Sequence, residues 1–388
     1  MRIGINALLA STERSYRNAG VSHYTLSLLN ALNTFDQANE YVFIVGEPAI
    51  AEQCPPAPGR SIVSPGWAPH HAASRVLWEQ TLLAGEARRQ RLDVLHAPVN
   101  VLPLRLPCPG IVTIHDLAFL RLPECFRPAR RVYQRCLTRQ SARRASLVIA
   151  VSENTCQDII DYWDIPAERI RVIPPILEER FTRPCSEEAL SAFRQKQRLL
   201  QPYILYLGTL EPRKNLSRLL DAYAMFKRET SLPHQLVLAG ARGWYYQSLE
   251  QQVRALGLQD QVYFPGHVME EDRPLWYHAA SLFVYPSRYE GFGLPVAEAM
   301  ACSVPVVTSN VSSLPELVGD NGRFGAQAAL TVAPDDTEAL ARALQRGLAD
   351  LVLRQQLRER GLERVQHLTP SRIVPEIIQA YQDAAQPI

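Results

Sequence analysis

Short, almost wholly apolar runs alternate with amphipathic stretches along most of this 388-residue chain. The runs Ile3–Ala7, Tyr41–Val45, Asp93–His96, Ile111–Ile114, Leu147–Val151 and Arg171–Ile173 read as buried strands. Between several of them lie helical patterns such as Tyr24–Leu32 and Trp78–Arg89. That alternation predicts a parallel sheet with helices on both faces. From about Glu178 to Pro202 the pattern lapses into Pro184, a Ser-Glu-Glu helix start and polar residues, a linker with one short helix. It then restarts at Tyr203–Leu207, Gln235–Ala239, Val262–Phe264, Leu282–Tyr285 and Pro305–Thr308. Two similar α/β domains in series follow, without a close sequence repeat. A last helix, from Ser371 to Ala384, carries Ile373, Ile377, Ile378 and Tyr381, with Pro375 bending or starting it. Ligands of such sheets gather beyond the carboxyl ends of strands, which points to Leu8–Gly20, His96, His115-Asp116 and Ser152 in the first domain.

In the second domain the strand Leu282–Tyr285 runs into Pro286, Ser287, Gly291 and Gly293, a loop whose glycines allow a ligand close to the backbone. Pro295 suits a first helical turn and Val296 to Ala301 continue it, so a helix start, a ready anion site, faces the loop. Glu290 in the loop and Glu298, expected in the first turn, flank it. Carboxylates accept hydrogen bonds only, and adjacent sugar or ribose hydroxyls are good donors to them. Taken alone, Glu298 fits equally a first-turn residue complementing the helix dipole, and Glu290 a solvated loop residue.

Strand Tyr203–Leu207 opens into Gly208-Thr209-Leu210-Glu211-Pro212-Arg213-Lys214-Asn215 ahead of another helix. Adjacent Arg213 and Lys214 suit a diphosphate, the arginine as a planar fork and the lysine as a point charge. Positive charge is mildly disfavoured at a helix start. Lysine is also rare here, occurring only as Lys196, Lys214 and Lys227. Both features favour a functional pair over a solvated one. Two further strands end in glycine turns, at Gly240 and at Gly266-His267-Val268.

A net charge of +2 argues against a dedicated nucleic-acid binder. Seven scattered cysteines without a Cys-x-x-Cys pair read as free thiols in a reducing compartment. Met1-Arg2-Ile3 enters a strand directly, so no signal peptide is expected, and no apolar run reaches membrane-span length. A cytoplasmic protein is the expectation. One stretch stands out by charge: Arg127, Arg131, Arg135, Arg139 and Arg143 recur every four residues, joined by Arg130 and Arg144, with no acid from Phe126 to Ser146. On a helix this makes one broad cationic face. It reads either as a solvated face or as a surface for anionic lipid headgroups or a phosphate-bearing acceptor, at the inner face of the plasma membrane.

The string Tyr-Pro-Ser-Arg-Tyr-Glu-Gly-Phe-Gly-Leu-Pro-Val-Ala-Glu, residues 285–298, resembles the Glu-x7-Glu motif of retaining nucleotide-sugar glycosyltransferases of family four. The Gly208–Asn215 loop resembles that family's diphosphate-binding loop, with Thr209 where many members carry a basic residue. The resemblance implies the GT-B fold, two Rossmann-like doubly wound domains facing a cleft, here 1–180 and 181–370, with 371–388 packing back on the first. It implies transfer of a hexosyl group from a nucleotide-sugar donor to a hydroxyl of a glycan or lipid-linked acceptor. Arg213 and Lys214 would stabilise the leaving diphosphate with backbone amides around Gly291, Phe292, Gly293 and Leu294. Glu290 would hold donor sugar hydroxyls and Glu298 the ribose. The resemblance also gives Gly208, Thr209 and Gly240 to the donor site. His267 and Val268, through the backbone, and Leu275, by packing, go to the base. For His267 a mere polar turn residue is an equal reading.

By the same resemblance His115 joins the catalytic set beside the donor sugar, although alone it reads as a core histidine. Asp116 orients its loop or contacts acceptor, and Asn18-Ala19-Gly20-Val21 matches the family's glycine loop, leaving Gly20 as its flexible position. Ser152 reads as a helix cap. No Asp-x-Asp occurs, so no metal and no cofactor are expected beyond the nucleotide sugar as co-substrate. The Gly208–Asn215 string and Leu95-His96-Ala97-Pro98 look most like bacterial mannosyltransferases building surface polysaccharide, which favours GDP-mannose, with UDP-glucose next. A degenerate binding subunit is the non-enzymatic alternative. A phosphorylase would need a lysine placed for pyridoxal phosphate, and a dehydrogenase a Gly-x-Gly-x-x-Gly after its first strand.

Overall fold

A computed structural model describes residues 1–11, 20–47, 49–50, 58–64, 72–241, 246–320 and 327–386. The chain divides into two compact units, one of residues 1–176 with 368–388 and one of residues 177–367.

The first unit holds a seven-stranded parallel sheet: β1 (Arg2–Ala7), β2 (Glu40–Val45), β3 (Arg60–Val63), β4 (Val94–Ala97), β5 (Gly110–Ile114), β6 (Leu147–Ala150) and β7 (Ile170–Val172), ordered β3-β2-β1-β4-β5-β6-β7. Five central strands are buried nearly throughout, which is why each reads as an unbroken apolar run. β3 went unread; it is a partly exposed edge strand with two polar residues in four. The single helix expected at Trp78–Arg89 is two, Ala72–Thr81 and Leu83–Arg89. Helix Pro370–Ala385 keeps Pro375 in its interior and buries Ile373, Val374, Ile377 and Tyr381 against β4, β5, β6 and helix Gly20–Phe35. One polar link pins it. Buried His96, at the end of β4, bonds the Tyr381 hydroxyl through Nδ1 at 2.9 Å and the Thr113 hydroxyl through Nε2 at 2.8 Å. Burial, assisted by His115, pushes the His96 pKa down to about 3, so it is a neutral core histidine.

The second unit repeats the plan with six parallel strands: β8 (Tyr203–Leu207), β9 (Gln235–Ala239), β10 (Val262–Gly266), β11 (Leu282–Tyr285), β12 (Val306–Ser309) and β13 (Leu330–Val332), ordered β10-β9-β8-β11-β12-β13. Strand order reverses between β8 and β11, so their carboxyl ends form the topological switch point where such sheets bind ligands. The two loops singled out by their glycines and charges leave from these two ends. No helix among the described residues is long and apolar enough to cross a membrane.

Candidate active site

After β8 the chain makes one 3-10 turn, Pro212–Lys214, and left-handed Asn215 then starts helix Leu216–Glu229. That turn aims Arg213 and Lys214 at the loop after β11. The Lys214 ammonium donates to Glu290 Oε1 at 2.6 Å and to the Tyr285 hydroxyl at 2.7 Å. Arg213 donates to Glu290 Oε2 at 3.0 Å, to the Tyr289 carbonyl at 2.9 Å and, by its other edge, to Glu211 Oε1 at 2.9 Å. Two cations thus meet two carboxylates, and the cluster is close to neutral as it stands. Lys214 and Glu290 are each 6% exposed, so solvent screens this pair little. The Glu290 backbone is fixed as well, its N–H donating to Ser312 Oγ and its carbonyl accepting from Ser313 Oγ, both at 3.0 Å.

Burial alone would raise the Glu290 pKa, but Arg213 and Lys214 together hold it down to about 2. Burial and neighbouring Arg213 lower that of Lys214, against the pull of Glu290 and Glu211. Because the Glu290 value lies below its ordinary 4.5, ionised Glu290 stabilises the fold fully above about pH 4.5. That contribution fades as pH falls and is gone below about 2. The difference in unfolding free energy between parent and Glu290→Gln should therefore shrink on acidification through this window. Denaturant titrations from pH 5 downward check it, and a constant difference would contradict the ion-pair origin.

Glycines make the space. The Gly240 φ is +144° and a Cβ there would stand 1.9 Å from the Gly208 carbonyl oxygen, so the turns after β8 and β9 approach as only glycine permits. Gly293 caps helix Leu294–Ala301 in the left-handed region at φ +99°, and its added Cβ would lie 2.8 Å from Leu314 Cδ2. Gly291 and Gly293 are buried, while Phe292 and Leu294 are half-buried.

Glu298 corrects the sequence reading in position. It is the fifth residue of its helix, beyond the first turn, and wholly buried, so it does not serve the helix dipole at the start. Its Oε2 accepts from the Tyr277 hydroxyl at 2.7 Å and from the Arg273 guanidinium, whose other nitrogen donates to Glu270 Oε1 at 3.1 Å. Oε1 is buried and has no hydrogen-bond partner among the described residues, an acceptor left unspent. Nearby, Val268 is buried, Leu275 half-buried and His267 exposed on the turn after β10. The Thr209 carbonyl accepts from the Tyr206 hydroxyl at 3.0 Å.

In the first unit His115 leaves the end of β5. Its Nε2 lies 2.7 Å from the Pro98 carbonyl, which can only accept, so that nitrogen carries the proton. Burial lowers its pKa against the raising effects of Pro98 and Asp116. His115 is thus a neutral, oriented imidazole with Nδ1 as its acceptor side, in edge contact with the Tyr24 ring. Asp116 Oδ1 accepts from the Ala118 N–H at 3.0 Å, which orients the loop into helix Ala118–Arg121. Ser152 caps helix Glu153–Trp163 through the Thr155 N–H. Gly20 opens helix Gly20–Phe35, where a Cβ would meet nothing within 4 Å. Asn18 and Ala19 lie outside the described residues.

Sequence reasoning separated Glu290 from Arg213 and Lys214, and the structure joins them within 3.0 Å. It missed Glu211, Tyr285, Arg273, Tyr277 and Glu270, the partners that hold the four charged residues. Glu211 and Tyr285 stand inside the motif strings themselves, Arg273 and Tyr277 reach Glu298 through the packing of helix Arg273–His278 on helix Leu294–Ala301, and Glu270 pairs with Arg273 three residues on. No group of three or more His, Cys, Asp or Glu placed to hold a metal occurs among the described residues.

Residues 191–364 match the family model described as glycosyl transferases group 1, and residues 19–179 that described as glycosyltransferase family 4. The chain is similar to O-antigen chain mannosyltransferase B of Escherichia coli, 37% identical over 290 residues, 74% of either chain. It is 33% identical to the serotype-specific mannosyltransferase WbdA of Escherichia coli over 56% of its own length, a match covering 26% of that longer protein. Among solved structures it is similar in fold to a sucrose-phosphate synthase from Thermosynechococcus elongatus, with a TM-score of 0.77, 24% identity and 98% of each chain covered.

Proposed function

Since this chain belongs to the glycosyltransferases, with a family 4 first half, a group 1 second half and the two parallel-sheet units of the GT-B fold, we propose that it moves a mannosyl group from GDP-mannose to a hydroxyl of a glycan or lipid-linked acceptor, with retention and without a metal, in building surface polysaccharide. The single observation behind the chemistry is the buried cluster of Arg213, Lys214 and Glu290 at the switch point of the second sheet. Glycosyl transfer breaks the bond from the anomeric carbon to the diphosphate oxygen, and negative charge grows on the leaving group. Fixed cations in a water-poor site stabilise that charge without reorganising. Arg213 and Lys214 are such cations, held in place by Glu211, Glu290 and Tyr285. Each oxygen of Glu290 takes one bond from a cation and keeps a second lone-pair direction for sugar hydroxyls. Glu298 offers Oε1 to the ribose. The mannosyl assignment is supported by the names of the relatives at 37% and 33% identity.

Thermal-shift binding of GDP, UDP, GDP-mannose and UDP-glucose, with and without EDTA, tests the reading. The expected result is stabilisation by GDP and GDP-mannose, indifferent to EDTA and lost in Lys214→Ala. Preference for the uridine nucleotides would move the donor to UDP-glucose, and a shift abolished by EDTA would overturn metal independence. Absence of any shift would favour a binding subunit without catalysis.

We infer also that the arginine-rich helix meets an anionic surface at the inner face of the membrane. Helix Pro128–Arg144 forms, and Arg127, Arg131, Arg135, Arg143 and Arg144 are exposed along it, beside Val132 at 58% exposure. The face is not uniform, because Arg144 donates to the Leu104 carbonyl and Arg139 is half-buried.

A further inference from the structure

Four-residue spacing drifts about 40° round a helix at each step, so the arginines of helix Pro128–Arg144 do not share one environment. Arg135 and Arg139 arrive at a cavity of about 230 Å³ whose other walls are Leu120, Tyr162 and Trp163. Tyr162 and Trp163 end helix Glu153–Trp163, and Leu120 belongs to helix Ala118–Arg121. The walls are held from outside the cavity. Trp163 is buried against the Phe119 ring, and the Arg121 guanidinium stacks 5.0 Å above the Tyr162 ring while bonding buried Asp158 through Nε at 3.0 Å. Arg121 is thus neutralised by its own carboxylate. No ion pair is formed by Arg135 or Arg139 among the described residues, and Arg139 Nε is buried without a hydrogen-bond partner. A buried N–H is costly to leave unmade, and a planar guanidinium fork is the group suited to a phosphate's oxygens.

From this we infer that the cavity is a phosphate-binding site, in which Arg135 and Arg139 clamp one phosphate group against the Tyr162 and Trp163 wall. Its volume falls below the ~300–1,000 Å³ of pockets that take whole small-molecule ligands, so the occupant is the phosphate end of something larger. The chemistry fits the headgroup of an anionic lipid and a soluble phosphorylated molecule alike. The inference rests on the surface-contact reading and sharpens it, from diffuse attraction to one seat with two named residues.

The test compares two pairs of substitutions that remove equal charge from the same helix, Arg135→Gln with Arg139→Gln and Arg127→Gln with Arg131→Gln. All are made in a Lys214→Ala background, so that the Lys214 ammonium of the second unit does not contribute, and Arg213 stays paired with Glu211 and Glu290. The probes are phosphatidylcholine vesicles with and without phosphatidylglycerol, and a soluble short-chain phosphatidic acid. The first pair should weaken binding of at least one probe about tenfold or more, as loss of charge-assisted bonds does, while the second costs only about twofold. Whichever probe shows that difference identifies the source of the phosphate. Equal losses in the two pairs would mean a diffuse field and overturn the site while sparing the surface contact. Failure of the unsubstituted background to bind either probe would overturn both. Unchanged thermal melting of both pairs shows that lost binding is not lost folding.

Discussion

Glu290→Gln is expected to bind free nucleoside diphosphate at least as tightly as the parent while turning over on the order of a hundredfold more slowly, the scale seen when one fixed polar contact to the reacting centre is removed. The two effects separate because Glu290 stands between the cations and the sugar. In the free protein it takes one bond from Lys214 at 2.6 Å and one from Arg213 at 3.0 Å, so it competes with any incoming diphosphate for the same donors. Glutamine keeps the shape and removes the charge, leaving the two cations to the diphosphate. Sugar hydroxyls, which donate to a carboxylate, lose their strongest acceptor in the same change. Lys214→Ala should do the reverse for binding, weakening nucleotide as well as turnover. Calorimetric titration with GDP and steady-state kinetics on both variants read the two quantities apart. If nucleotide affinity fell in Glu290→Gln as it does in Lys214→Ala, the carboxylate would be acting mainly to orient the cations, and its assignment to the sugar would lose its support.

Burial and strand order decide which parts of this arrangement are legible in the sequence. Central strands such as Ile111–Ile114 and Leu282–Tyr285 are buried on both faces, so their positions are written as continuous apolar runs. The edge strands Arg60–Val63 and Leu330–Val332 are short and only partly covered, so neither carries that pattern. The charged residues of the site are visible because a glycine loop and a rare lysine mark them. Their grouping is not. Arg213 and Glu290 lie 77 positions apart and meet only because β8 pairs with β11, a fact of strand order rather than of spacing. The arginine helix fails in the opposite sense. Its regular spacing suggests one face, yet Arg139 and Arg144 each find a different environment in neighbouring helices and loops that periodicity does not encode.

Buried charge also decides the second large effect. Arg273→Leu should destabilise the second unit by about 3–5 kcal/mol, the cost of leaving a buried carboxylate without its cation. Glu298 is wholly buried, and among the described residues its Oε2 has, apart from Arg273, only the Tyr277 hydroxyl. The converse change, Glu298→Leu, should cost less, because Arg273 retains Glu270, itself tied to Arg180 at 2.8 Å, and the Phe181 ring, over whose centroid its guanidinium lies at 5.8 Å. The double variant should then be more stable than Arg273→Leu alone, since removing both members of a buried pair relieves the uncompensated charge. That ordering is the sign of a real pair, and urea midpoints of the three variants measure it. A double variant less stable than either single change would mean that Arg273 acts through its Glu270 contact and packing, not through Glu298. The ligand arm is independent of this ordering: if Oε1 of Glu298 receives a ribose hydroxyl, the parent should prefer GDP over its 2′,3′-dideoxy analogue by about tenfold, and Glu298→Leu should bind the two alike. Equal binding by the parent would leave the ion pair intact as a structural element and remove the ribose from its role.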